Sequence, residues 1–363
     1  MIIYWSMLGW IILWGGVFCM LQQQYRLKRP PMFFVVITYG YLTFWIGMRS
    51  GFADTGTYIS IFNSMPDKLS LYFENYEFQD AKSVGYELLQ VVFKQFISQD
   101  YHLWLMLIAL ISIICIVYVI YNESERFFLS SYFFITMLIF MWLLNGMRQF
   151  LAVSVLFASY KLIIKQRTWS YMILIILMST IHFSCLLMIP VYFVVQLKPF
   201  KLNTVAIISV LILLCIFANP VISRLEILLE GTAYGGFSSQ FSSDDGVNPI
   251  RVIVAFIPVI IAFWKRKKVF NDNNRFIEIA ANMSLISAGL YMFGIFTSGI
   301  IIGRLPIYCE VYNIIFLPYV LKKGFEGRER IFMEISAVCG YLAYFYLQSG
   351  GWYYVSEFTG IIN

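Results

Sequence analysis

The sequence predicts an all-α polytopic membrane protein. Three observations carry that prediction. The chain of 363 residues is 60% hydrophobic and only 13% charged, roughly half the charged share of a soluble domain. Its mean hydropathy is +0.75. Apolar runs recur along it, separated by short basic clusters, and a hydrocarbon core requires about 17–25 such residues per crossing. These features exclude a soluble enzyme. They also exclude a nucleic-acid binder, because the net charge of +6 is spread over small inter-helical clusters.

About ten crossings are expected, over residues 2–21, 32–48, 101–121, 127–146, 150–164, 205–219, 250–264, 276–297, 300–321 and 331–347. The first run is not read as a cleavable signal, since no charged segment precedes it and no small-residue cleavage site follows. Cys19, Cys115, Cys185, Cys215, Cys309 and Cys339 all sit in apolar runs without CxxC spacing. Neither a disulfide framework nor a metal site is expected from them. The basic clusters fix orientation. With the N-terminus outside, 18 of the 26 Lys and Arg residues fall in the cytoplasm, as the positive-inside rule requires.

Residues 169–197 lie between two basic clusters. They are too few for two full crossings and too many for one. A short hairpin or re-entrant segment is expected there, with His182–Phe183–Ser184 near its tip; one long tilted helix is the alternative. Two outer loops are expected. Residues 49–100 carry seven acids against four basic residues and include the amphipathic stretch 84–97, read as an interfacial helix. Residues 220–249 are Gly/Ser-rich and read as a flexible outer loop. No soluble domain interrupts the chain, so a single transmembrane domain over 1–363 is expected.

Ionisable residues at membrane depth are candidates for function. Arg49, Asp54, Glu87, Arg148, His182, Arg251 and Arg304 come from six segments yet are all expected near the outer rim. Four arginines at one depth point to a polyanion, because a planar guanidinium grips phosphate through two parallel bonds. Diphosphate-linked lipids are the polyanions of that depth. Each candidate has a plainer alternative. Arg49 and Arg251 could snorkel to head groups. Asn145 and Gly146 could merely end a helix before Arg148. His182 could be a packed histidine. Arg304, inside an apolar run between Gly303 and Pro306, is harder to explain that way. No Walker loop, GxGxxG or HExxH occurs, so no nucleotide or metal cofactor is expected.

In order, the chain carries Arg49, Asp54–Thr55 and Tyr58; Gly85–Tyr86–Glu87; Asn145, Arg148 and Gln149; His182–Phe183–Ser184; and Arg304 with Tyr308. This ordered set resembles the EpsG family of Wzy-like exopolysaccharide and capsular polysaccharide polymerases, along nearly the whole chain. One position departs: Phe52 stands where the family often has glycine. The resemblance implies a GT-C-like helical bundle in the bacterial cytoplasmic membrane, its active site facing outward. It implies a metal- and nucleotide-independent glycosyltransferase that joins undecaprenyl-diphosphate-linked oligosaccharide repeat units. A flippase and a chain-length regulator would be partners.

Within that reading His182 and Asp54 are the catalytic candidates. His182, with an ordinary pKa of about 6.5, is expected to take the proton of the attacking hydroxyl. Asp54 is expected to stabilise positive charge on the sugar ring. Arg49, Tyr58, Glu87, Asn145, Arg148, Gln149, Arg251, Arg304 and Tyr308 are the substrate-binding candidates. The competing readings are a GT-C transferase using a polyprenyl-phosphate sugar, a polysaccharide-lipid flippase, and a membrane O-acyltransferase.

Overall fold

The computed structural model describes residues 2–74, 83–202, 204–206, 208–209, 246–295 and 302–362. It is helical almost throughout, as lipid demands of backbone groups that must find partners within their own segment. Helices α1 (Ile2–Tyr25) and α2 (Met32–Gly47) are antiparallel neighbours, and Pro31 stands at the N-cap of α2. The predicted outer loop holds α3 (Thr55–Ser64), α4 (Leu69–Glu74) and the amphipathic α5 (Val84–Phe96). Helix α6 (Tyr101–Glu123) follows, its first turn capped by the Asp100 carboxylate, which accepts from the His102 amide.

The next run breaks. Helix α7 (Phe127–Thr136) stops, a 3-10 turn covers Ile139–Leu143, and α8 (Met147–Ala158) and α9 (Tyr160–Ile164) return. The continuous helix predicted over 127–146 is therefore two pieces. Helix α10 (Thr168–Ser179), a 3-10 turn (Phe183–Leu187) and α11 (Met188–Val194) make the predicted hairpin, with His182 in its turn. After them come α12 (Pro249–Trp264), α13 (Arg266–Val269) and α14 (Arg275–Gly294). The run 300–321 is also broken: a 3-10 turn (Ile302–Arg304), α15 (Ile307–Glu310) and α16 (Asn313–Gly324) replace one helix. Arg304 thus ends a tight turn ahead of Pro306 rather than lying inside a helix, because proline removes a helical donor and clashes with the preceding turn. Helix α17 (Gly327–Ser349) and a small antiparallel ribbon, β1 (Val355–Ser356) with β2 (Ile361–Ile362), complete the chain. Most of the crossing expected at 205–219 and most of the loop expected at 220–249 lie outside the described residues.

Among the described residues, four helices, α1, α6, α14 and α17, are long and apolar enough to cross a membrane alone. The core is aromatic-rich and runs through α7, α8, α14 and α16. The two ends of the bundle differ in chemistry. At one end, Arg126 pairs with Glu334, Lys322 with Glu125, Lys323 with Asp272, Lys265 with Glu329 and Lys268 with Glu326. At the other, the C-terminal tail folds over the start of the chain. The Val355 carbonyl accepts from the Ser50 and Gly51 amides, Tyr4 donates to the Tyr353 carbonyl, and Tyr354 donates to the Trp45 carbonyl. This second end collects every candidate residue.

Candidate functional site

The break after α7 builds the site. Leu138 has φ +66°, a left-handed conformation that bulky residues rarely adopt. Gly146, at φ +89°, makes the second turn where a side chain would be strained. Between them residues 138–146 fold back, so α8 begins at the bundle end with Arg148 and Gln149 in its first turn.

Arg148 faces the outer-loop helices. Its Nη1 donates to Ser83 Oγ at 2.8 Å. Its guanidinium lies 5.9 Å from the Tyr58 ring centroid and 5.7 Å from that of Tyr86. Its Nε is buried without a partner among the described residues. Gln149 points the other way and donates to the Arg304 carbonyl at 2.8 Å, fixing the 3-10 turn that carries Arg304. Beside them opens a cavity of about 380 Å³. Arg251, Arg304, Asn145 and Gln348 supply its polar lining, and Phe52, Trp142 and Trp352 supply aromatic walls. Asn145 Oδ1 is buried there without a partner among the described residues. Phe52, the position that departs from the resemblance, is buried with its ring edge-on to Trp352.

Arg49, a substrate-binding candidate whose plainer alternative is a rim anchor, turns its donors into the protein. It is fully buried, and its donors go to Thr55 Oγ1 at 3.1 Å, to the Ile46 carbonyl and to Met147 Sδ at 3.5 Å. Burial holds its guanidinium down to about 10, so it stays charged at neutral pH. It fastens the end of α2 to α3 and α8. Asp54 stands half-buried at the start of α3 and makes no side-chain cap bond. The preceding Ala53 has φ +41°, a left-handed turn that brings the chain from Arg49 into α3. Glu87 lies in α5 and accepts from the Tyr72 hydroxyl at 2.9 Å.

His182 meets Ser184 Oγ through Nδ1 at 2.7 Å, and Ser184 Oγ meets the Tyr308 hydroxyl at 3.0 Å. Burial, and then the positive charges of Arg148 and Arg304, pull its imidazole down to about 4. This corrects the expectation of a histidine poised near neutral pH: the ring is neutral because burial first, and the two arginines second, disfavour its charged form. It also shows that His182 lies within the field of both arginines.

The structure brings together Tyr58, Arg148 and His182 on one side of α8, and Asn145, Arg251 and Arg304 on the other, with Gln149 joining the sides. Sequence reasoning missed several neighbours. Ser83 positions Arg148, together with Tyr86, which stands in the motif set but was not among the site candidates. Arg251 lies over the Tyr291 ring at 5.6 Å, whose hydroxyl donates to Glu310 at 2.6 Å. Glu310 sits six positions after Arg304 in a run read as an apolar helix, and a carboxylate there is the signal that could have found it. Gln348, at the end of α17, and Trp352 carried no signal, and only the folded tail brings Trp352 back.

Among the described residues, no group of three metal-binding side chains occurs. No curated protein and no solved structure matches the chain. A family model described as the EpsG family matches residues 32–358. The chain therefore belongs to the EpsG family, the family of Wzy-like polysaccharide polymerases.

Proposed function

We propose that this chain joins undecaprenyl-diphosphate-linked oligosaccharide repeat units into exopolysaccharide or capsule at the outer leaflet of the bacterial cytoplasmic membrane. We read the whole chain as one GT-C-like transmembrane domain. The orientation follows from the charged end: its paired lysines and arginines belong in the cytoplasm, which turns the arginine end outward.

The observation that carries this reading is the contrast between the cations at the two ends. At the basic end, Arg126, Lys265, Lys268, Lys322 and Lys323 each pair with a carboxylate. At the other end, Arg49, Arg148, Arg251 and Arg304 form no ion pair among the described residues. Glu310 and Tyr344 offset part of the Arg251 charge, but gathering cations with no carboxylate in contact is unfavourable, both for burial and for mutual repulsion. A bound diphosphate would neutralise Arg148, Arg251 and Arg304. Arg49 has already committed its donors to the protein.

In this reading the diphosphate of the growing chain lies at Arg251 and Arg304, with Arg148 on its far side. The hydroxyl of the incoming unit attacks the anomeric carbon, and the carbon–oxygen bond to the diphosphate breaks. The bond's electron pair leaves with the undecaprenyl diphosphate, whose charge the arginines stabilise. The hydroxyl proton passes to His182 Nε2, since Nδ1 is held by Ser184. Such a base supplies about 10²–10⁴-fold. Binding of the diphosphate cancels the field of Arg148 and Arg304, so His182 gains proton affinity when substrate is present. Asp54 stabilises the positive charge that develops on the sugar ring, and Tyr58, Glu87 and Tyr308 orient sugars. A flippase and a chain-length regulator would supply and size the product.

Product length tests the reading. A strain lacking this chain should lose polymer and retain single lipid-linked units. Units shortened by one sugar would support the polyprenyl-phosphate transferase instead, and units trapped on the inner leaflet would support a flippase.

A further inference from the structure

A larger cavity, about 580 Å³, lies at the basic end, remote from the arginine site. Helices α1 and α17 flank it. They meet at the opposite end, where the Trp5 and Phe345 rings stand 5.1 Å apart, and at the basic end the crevice separates them. Both are peripheral: α17 and then α1 are the least buried of the four long helices. Ile11, Ile12 and Phe18 of α1, Phe128 of α7 and Val338 of α17 form its apolar half. Ile12 is 54% exposed, so this half opens sideways.

The rim is different. Lys28, Arg29, Arg126, Lys322 and Arg330 surround it. Glu334 serves both Arg126 and Arg330, and Glu125 serves Lys322. Five cations thus face two carboxylates, an excess of three. Arg29 spends one donor on the Asn122 carbonyl at 3.1 Å and lies over the Tyr121 ring at 5.5 Å. Lys28 is exposed and has no hydrogen-bond or ion-pair partner among the described residues.

We infer that this crevice binds an anionic phospholipid of the leaflet at the basic end, its phosphate at Lys28 and Arg29 and an acyl chain along Ile12 and Phe128. Charge complementarity selects the occupant. A zwitterionic lipid fits the apolar half but brings its own cation to a cationic rim. A free phosphate fits the rim but leaves the apolar half uncovered. Basic pockets between membrane helices on the cytoplasmic side are suited to anionic head groups. The site stands whether or not the polymerase reading does.

The test is native mass spectrometry of the purified, delipidated full chain. It is titrated with dioleoyl phosphatidylglycerol, with dioleoyl phosphatidylcholine, and with glycerol 3-phosphate as competitor. Phosphatidylglycerol should be retained and phosphatidylcholine lost. Removing each cation should cost about fivefold in retention, so the Lys28→Gln/Arg29→Gln double variant should bind phosphatidylglycerol roughly 25-fold more weakly. Ile12→Trp, which keeps the rim and fills the apolar half, should also weaken it. Glycerol 3-phosphate at equal concentration should not displace the lipid. Equal retention of the two lipids, displacement by glycerol 3-phosphate, or a double variant that binds like the parent would overturn the inference. If the double variant does not fold, undiminished binding by Ile12→Trp overturns it alone.

Discussion

Lysine should not replace Arg148 or Arg304. It keeps the charge, but a compact ammonium cannot reproduce the fork of a guanidinium. Loss of one donor aimed at developing charge typically costs about 10²–10³-fold in turnover. Arg148→Lys and Arg304→Lys should each lose at least 100-fold on that scale, with the protein still present in the membrane fraction. A polymer gel and an immunoblot of the same cells measure both. Normal polymer would return these residues to a packing role.

His182 makes a second expectation at this scale. Without substrate its ring takes a proton only below about pH 4. Burial and two arginines cause the depression, and a bound diphosphate offsets the arginines. The acid limb of kcat/KM reports the free enzyme and that of kcat the substrate complex. The limb of kcat should therefore lie at higher pH than the limb of kcat/KM. Coincident limbs would remove His182 as the proton acceptor. The sequence made these residues legible as ionisable groups in apolar surroundings. It could not show their mutual fields, because Arg148 and His182 are 34 positions apart and Arg304 is farther still.

Between elements, the closest fit is where α5 meets the hairpin turn. The Gly85 amide donates to the Thr180 carbonyl at 2.9 Å. A Cβ at Gly85 would stand 2.1 Å from Thr180 Oγ1 and 2.8 Å from Thr180 Cβ. Gly85→Ala should part the two elements, at about the 1–3 kcal/mol of an overpacked contact. It should also draw Ser83 away from Arg148. A lower midpoint of thermal unfolding in detergent is expected, together with reduced polymer. Thr180→Ala in the same chain should recover part of both. An unchanged midpoint for Gly85→Ala would contradict this packing.

The hairpin itself was legible, since basic residues bracket a run too short for two full crossings. The breaks at Leu138 and Leu305–Pro306 were less so. Pro306 and Gly303 were visible signals, but Leu138 carries none: its left-handed turn is imposed by packing rather than by its own preference. The runs 127–146 and 300–321 therefore read as smooth helices, although their interruptions are what place Asn145, Arg148 and Arg304 at the site.

At the scale of the molecule, hydropathy and the Lys/Arg pattern were enough to read an all-α membrane protein and to sort its loops into two groups. The folded chain keeps those groups at opposite ends. What no pattern revealed was the return of the C-terminal tail to Gly51, which lends Trp352 to the cavity. Orientation follows from charge. A membrane-impermeant thiol reagent applied to intact cells should label Ser70→Cys and spare Lys267→Cys in a cysteine-free background. The reverse pattern would invert the topology and put the arginine site in the wrong leaflet.

The central claim is that the arginine end polymerises lipid-linked repeat units. Its most direct measurement uses the purified chain in liposomes with undecaprenyl-diphosphate-linked repeat units alone, resolving product length on a gel. The parent chain should yield a ladder with steps of one repeat unit, and Arg304→Lys should leave the units unjoined. A parent chain that adds a single sugar or makes no ladder, or an Arg304→Lys chain that makes the same ladder, would contradict the account.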